Sequence, residues 1–261
     1  MRSLALVLTV AAAPATHAAA TEGAFLPRAT EINGTTYRWQ VFVPAAVLAG
    51  EDPSPPVILF LHGAGERGRD GEGQTRIGLP AVLRETPDFP ALVVMPQAPR
   101  DAWWGTPEIE QLAFAALDAA VAEFGGDADR TYLTGLSLGG FGTWAYAYRY
   151  PDRFAALIPV CGGVSPLGSR LPTPAWHPAA VSPDPFGETA RTIAPLPVWV
   201  FHGARDRRVP VSESQSMVAA LEAAGASPRY TEYPEVGHDA WVPAYREEGL
   251  FAWLFAQRRS R

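Results

Sequence analysis

Uninterrupted apolar runs recur along the chain and organise it. Val57–Leu61, Ala91–Met95, Phe154–Val160 and Leu196–Phe201 contain no polar residue. A strand hidden on both faces of a parallel sheet reads this way, whereas a half-exposed strand alternates. Thr131–Gly135 is a further strand-like run, and Arg229–Tyr233 reads as the last strand. Near the start, Tyr37–Val43 does alternate, and Asn33-Gly34 stands just before it. That pairing predicts a β-hairpin and an antiparallel entry to the sheet. Residues 21–30 read as a loose leader and residues 44–56 as a Pro-rich connection.

Between the strands the apolar period lengthens to that of a helix. Pro107–Phe124 is the clearest case. Pro107 opens it, Glu108 and Glu110 lie in its first turn, and Gly125 follows its end. Leu112, Ala116, Leu117, Ala120 and Phe124 form its apolar stripe. Further helices are expected over 77–83, from Ser137 to Tyr150, over 212–224 and over about 241–257. Strands alternating with helices predict the α/β class: a doubly wound, mostly parallel sheet with an antiparallel N-terminal hairpin. No break in composition divides residues 21–261, so one domain is expected. Residues 164–195 are Pro-rich with little regular pattern and read as a lid or insertion, with Trp176 and His177 within it.

Composition changes the picture in three ways. With 48% hydrophobic and 18% charged residues, the chain can bury a substantial core. Its net charge of −6 argues against nucleic acid or an anionic membrane as partner. All 21 basic residues are Arg, which excludes a Schiff-base lysine, a P-loop and a Ser–Lys dyad. A single cysteine, Cys161, rules out an internal disulfide and reads as a buried strand-end residue. No tight His/Cys/acid spacing stands out, so no metal and no cofactor are expected. The first 20 residues read as a cleaved signal peptide. Arg2 supplies the positive end, Leu4–Ala13 the apolar run, and small residues precede the cleavage region. The run is too short to span a bilayer, and the mature chain is expected to be secreted or periplasmic, without a membrane span. Cleavage would remove Arg2 alone and take the charge from −6 to −7.

The chemistry gathers on Gly135-Leu136-Ser137-Leu138-Gly139. A strand-like run ends there and a helix-like run begins, so Gly-x-Ser-x-Gly predicts a nucleophile elbow. Such a turn strains the serine backbone and leaves no room for side chains two residues to either side. A serine hydroxyl needs a base, and the base needs a carboxylate to hold its tautomer. His238, in a loop after the last strand, is the expected base. His202 closes a buried strand, and its ring is expected to pack; His177 lies in the irregular segment. Asp206, just beyond the Leu196–Phe201 strand, is the expected acid. Asp184 is its substitute, and Asp239 adjoins His238 too closely to bond its ring. Two N–H donors for an oxyanion are expected from Leu138 and Ala64, with Gly65 as alternative to Ala64. Trp103, Trp104 and Trp241 are candidates for lining a substrate pocket.

One motif competes. Gly63-Ala64-Gly65-Glu66-Arg67-Gly68 spells the dinucleotide fingerprint after a strand, with Glu85 at the expected distance. That fingerprint requires a helix to begin within the glycines. The next residues, Arg69–Gln74, are polar and glycine-broken, so the reading is rejected.

Taken together, Leu61–Gly68, Met95–Pro99, Gly135–Gly140, Phe201–Asp206 and Gly237–Asp239 resemble secreted serine esterases of the α/β-hydrolase superfamily. The likeness is to the group of peptidase- or polyhydroxybutyrate-depolymerase-like esterases near the phospholipase/carboxylesterase branch, and it covers roughly residues 33–256. It implies a Ser137–His238–Asp206 triad, oxyanion donors at Ala64 and Leu138, and a small-molecule or polymer ester as substrate. The 164–195 segment is longer than that pattern expects. Peptidase action on the same triad, and non-catalytic binding of a carbohydrate or polymer, are the alternatives.

Overall fold

In a computed structural model of the chain, residues 22–165 and 173–259 are described. The predicted signal peptide lies outside these residues, as does part of the 164–195 segment. Eight strands form one sheet: β1 (Ala24–Ile32), β2 (Thr35–Val43), β3 (Val57–Leu61), β4 (Leu92–Pro96), β5 (Thr131–Leu136), β6 (Ala156–Val160), β7 (Trp199–Gly203) and β8 (Arg229–Tyr233). Their order is β1-β2-β4-β3-β5-β6-β7-β8. β1 pairs antiparallel with β2, and β2 antiparallel with β4; the remaining pairs are parallel. This is the predicted doubly wound α/β sheet with its antiparallel hairpin.

The hairpin turn follows from its residues. Asn33 and Gly34 both take positive φ, 50° and 76°, the backbone of a two-residue turn that matches strand twist. The expected leader at 21–30 is instead mostly strand: β1 pairs with β2 along its whole length. As the outer edge it is only half-covered, so its apolar signal is weak, and it tolerates Pro27 because an edge N–H is dispensable.

Helices cover both faces: α1 (Ala45–Leu48), α2 (Leu79–Glu85), α3 (Pro107–Phe124), α4 (Leu138–Arg149), α5 (Pro178–Val181), α6 (Pro185–Ile193), α7 (Ser212–Ala223), α8 (Trp241–Ala244) and α9 (Leu250–Phe255). Alternation along each strand divides the core between the faces. Val57, Leu59 and Leu61 pack with Leu112 of α3, Trp144 of α4, Ala190 of α6 and Met217 of α7. Ile58 and Phe60 pack with Leu79 of α2, Ala244 of α8 and Leu250 of α9 on the other. Residues 164–195 hold more order than their composition suggests. Asp184 accepts the Gly187 N–H (2.9 Å) and starts α6. The final helix expected over 241–257 is two short helices, with Gly249 at φ 76° between them.

Candidate active site

β5 runs straight into α4, and Ser137 is the turn between them. Its φ of 53° and ψ of −116° are strained for a residue with a side chain; such backbones cost on the order of 1–3 kcal/mol and persist only when neighbours dictate them. The Ser137 N–H donates to the Val160 carbonyl of β6 (2.9 Å), and the Ser137 carbonyl accepts from the Phe141 N–H (3.1 Å). The flanking glycines leave no alternative. A Cβ on Gly139 would stand 1.9 Å from the Leu61 carbonyl oxygen, and one on Gly135 would stand 2.3 Å from that of Gly139. The helix presses its first turn against two strand ends, and only glycine permits that approach.

The fold brings Ser137, His238 and Asp206 into one hydrogen-bonded chain. Ser137 Oγ lies 2.8 Å from His238 Nε2, and His238 Nδ1 lies 2.7 Å from Asp206 Oδ2. The Asp206 side chain is fully buried, while 16% of the His238 side chain is exposed. Burial alone would push the Asp206 carboxyl up. The His238 bond and the N–H groups of Val209 and Arg208, which reach Oδ1 at 3.0 and 2.8 Å, more than offset it and hold the group below its ordinary value. A buried carboxylate kept ionised beside an imidazole fixes the proton on Nδ1 and leaves Nε2 free to accept from a hydroxyl. The loops are tied together by backbone. The Arg205 N–H donates to the Val236 carbonyl, and that of Ala204 to Tyr233 (3.0 Å each).

Two clefts meet at Ser137. One, of about 370 Å³, is lined by Gly63, Ala64, Gly65, Leu136, His238 and Trp241, with Ile77, Glu66, Asp239 and Arg208 around it. The other, of about 420 Å³, is lined by Ala64, Leu138, Phe141, Arg208, Val209 and His238. Both oxyanion candidates therefore border the serine. Leu138 opens α4, where the first N–H groups have no intrahelical acceptor. Trp241 stands edge-on to the His238 ring, 5.5 Å between centroids.

Other candidates fall elsewhere. Trp103 and Trp104 do not line either cleft: they are 2% and 0% exposed. Trp104 donates its indole N–H to the His62 carbonyl (3.0 Å) and packs over Gly142, so the pair serves the core. The Arg149 guanidinium lies over the Trp176 ring, 4.5 Å from the ring centroid, and His177 faces Trp103. The described part of the 164–195 segment is thus docked on α4 and the Trp103 loop, and none of it borders the two clefts. Asp184 is spent capping α6. The competing glycine motif forms only a single 3-10 turn, Ala64–Glu66. Sequence spacing did not reveal one further grouping. The Cys161 thiol lies within 4.8 Å of ligand atoms of Asp206 and His238. Full burial raises the thiol's pKa well above its ordinary value, and Asp206 and His238 already bond each other.

The sheet order and the strand–turn–helix at Ser137 define an α/β-hydrolase. Comparison with known proteins narrows the class: the prolyl oligopeptidase family model matches residues 101–257. The chain belongs to this family of serine hydrolases. An uncharacterized secreted protein of Arthroderma benhamiae is 28% identical over 216 residues, 75% of this chain and 23% of its own. A Salmonella typhimurium protein provisionally named a carboxymethylenebutenolidase is 32% identical over 126 residues, 47% of this chain and 42% of its own. The structure of a thermostable esterase superposes with a TM-score of 0.71 at 32% identity, covering 90% of this chain and 63% of that one. The chain spans less than half the length of these two curated relatives.

Proposed function

We propose that the chain is a serine carboxylic-ester hydrolase acting through an acyl-enzyme. The observation that carries this reading is the unbroken hydrogen-bonded path from Ser137 through His238 to Asp206. Ser137 Oγ attacks the ester carbonyl while His238 Nε2 takes its proton. The tetrahedral oxyanion is received by the N–H groups of Ala64 and Leu138. His238 then protonates the departing alcohol, and water repeats the sequence to release the acid. The two clefts that meet at Ser137 suit the acyl and alcohol portions, with Trp241 as an apolar wall. Ser137→Ala is expected to abolish p-nitrophenyl acetate hydrolysis without unfolding the protein; retained turnover would sink the assignment.

Membership of the prolyl oligopeptidase family favours a second reading, peptide hydrolysis on the same three residues. An amine leaves less readily than an alcohol, so it demands fuller proton donation from His238. Turnover of matched ester and anilide substrates separates the two: anilide hydrolysis matching the ester in kcat/KM would favour the peptidase. We also propose that residues 21–261 act as one exported domain. The pattern of residues 1–20 supports export, and among the described residues no helix is long and apolar enough to cross a membrane. N-terminal sequencing of the protein made in its own host tests this; an intact Met1 would refute it.

A further inference from the structure

Beneath Asp206 lies a second histidine that the catalytic reading leaves unused. His202 is the penultimate residue of β7 and is fully buried. Its Nε2 stands 3.1 Å from the Val209 carbonyl oxygen and 3.3 Å from Asp206 Oδ2, the same oxygen that receives His238 Nδ1. Its Nδ1 stands 2.7 Å from the hydroxyl of Ser214, which is 1% exposed in the first turn of α7. A carbonyl oxygen only accepts, so Nε2 carries a proton. Burial disfavours the imidazolium and lowers the pKa, against the opposing pull of the Val209 carbonyl and Asp206. A neutral ring with its proton on Nε2 accepts at Nδ1, and the Ser214 hydroxyl donates there.

We infer that His202 is a positioning residue: held as its Nε2–H tautomer by Ser214, it donates that one N–H to the Val209 carbonyl and so fixes the peptide segment whose N–H binds Asp206 Oδ1, with its ring edge 3.3 Å from the oxygen that orients His238. The proposal rests on the serine-hydrolase reading above. It extends the path to Ser214–His202–Val209–Asp206–His238–Ser137, running from α7 to the elbow. Asp206 Oδ1 is already held by two backbone N–H groups. His238 holds Oδ2, and His202 anchors Val209, one of the two donors on Oδ1, so the carboxylate is held from both oxygens before substrate arrives. The ionisable groups facing His202 are Asp206 and His238 from the two loops and Glu232, its register partner on β8. Ser214 faces it from α7, and Cys161 at the end of β6 approaches Asp206.

The direction of the effect follows from charge. Without the His202 N–H on its carbonyl, Val209 holds its own N–H less firmly on Oδ1, and the Asp206 carboxylate turns more of its negative charge towards His238 and holds the imidazolium form more tightly. The acid limb of the rate profile then moves to higher pH. His202→Leu is expected to lower kcat for p-nitrophenyl acetate about tenfold with KM nearly unchanged and to move that limb up. His202→Gln retains an N–H near the Nε2 position and restores both. Ser214→Ala moves the limb the same way, less far. A folded His202→Leu protein with the wild-type acid limb, or a Gln variant no better than Leu, overturns the inference. Should the Leu variant not fold, ¹⁵N spectra of wild-type histidines decide. His202 as neutral Nε2–H upholds the inference; a neutral Nδ1–H ring or a cation overturns it. Labelling of wild-type Ser137 by a fluorophosphonate separates the two readings: no labelling refutes the hydrolase assignment itself, whereas labelling with an unmoved limb refutes only the role of His202.

Discussion

Lowering the pH is expected to loosen the loop that carries Ala64, through His62. This ring is 1% exposed. Its Nε2 accepts the Ala98 N–H at 3.0 Å, so the proton sits on Nδ1, 2.6 Å from the Gly63 carbonyl. A second proton would face a donor in a dry site. Burial is the main cause that lowers its pKa to about 4; the Gly63 carbonyl opposes, and the Arg67 charge adds to the lowering. The unfolded chain takes up the proton near the ordinary value of about 6.5, before the folded one does. Stability is therefore complete above about 6.5 and is lost as pH falls towards about 4. At about 1.4 kcal/mol per unit, the loss across that window is on the order of 3 kcal/mol. His177 and His202 are also lowered and titrate in the same direction, so the measurement is a difference. Urea unfolding midpoints of wild type and His62→Phe are compared from about pH 7.5 to about pH 4.5. The variant starts lower by ~1–3 kcal/mol, because the Ala98 N–H loses its acceptor, but its profile is flatter by up to one proton. Parallel profiles would refute the reasoning.

Four further outcomes are expected. Gly139→Ala, whose methyl would meet a carbonyl oxygen at 1.9 Å, should destabilise by ~3 kcal/mol or more, while Gly65→Ala, with nothing within 4 Å, should leave the thermal midpoint nearly unchanged. Asp206→Asn should keep the fold by circular dichroism yet lower kcat by ~10⁴ through the wrong tautomer at His238. Trp241→Ala should raise KM for aromatic esters several-fold, while Trp104→Phe should lower stability by about 1 kcal/mol through the lost bond to His62 without altering ester preference, as a panel of esters would read. Asp70, whose carboxyl is held at about 2 by the N–H groups of Gly73 and Glu72 and by Gln97, stabilises the loop above the ordinary carboxylate range and loses that effect as pH falls towards about 2; the stability gap between wild type and Asp70→Asn should close over that window.

Much of this arrangement was legible because buried parallel strands leave continuous apolar runs and an elbow demands glycine at two set positions. Pro107–Phe124 was legible to the residue, since a Pro start and a Gly stop bracket its stripe. What escaped did so for physical reasons. β1 at the sheet edge is half-covered, so its residues carry a diluted signal. Asp184 reads equally as an acid or a helix cap, and only the fold decides. Trp103 and Trp104 lie in a loop, which suggests a pocket, yet loops folded under the sheet edge fill core. By its place at the close of a buried strand, His202 reads as a ring that packs. It is buried as that reading requires, but its partners come from residues 206, 209 and 214, a convergence that no local spacing announces. The approach of Cys161 to Asp206 likewise depends on two separate strand ends, those of β6 and β7.

The central claim is that Ser137 is the activated nucleophile. Incubating the native protein with a fluorophosphonate and mapping the adduct by peptide mass spectrometry tests it most directly. One adduct on Ser137, absent after Ser137→Ala and slowed at least a hundredfold by His238→Ala, is the predicted result (~10² or more for removal of a general base). No adduct on the folded protein, or one on a different residue, would contradict it.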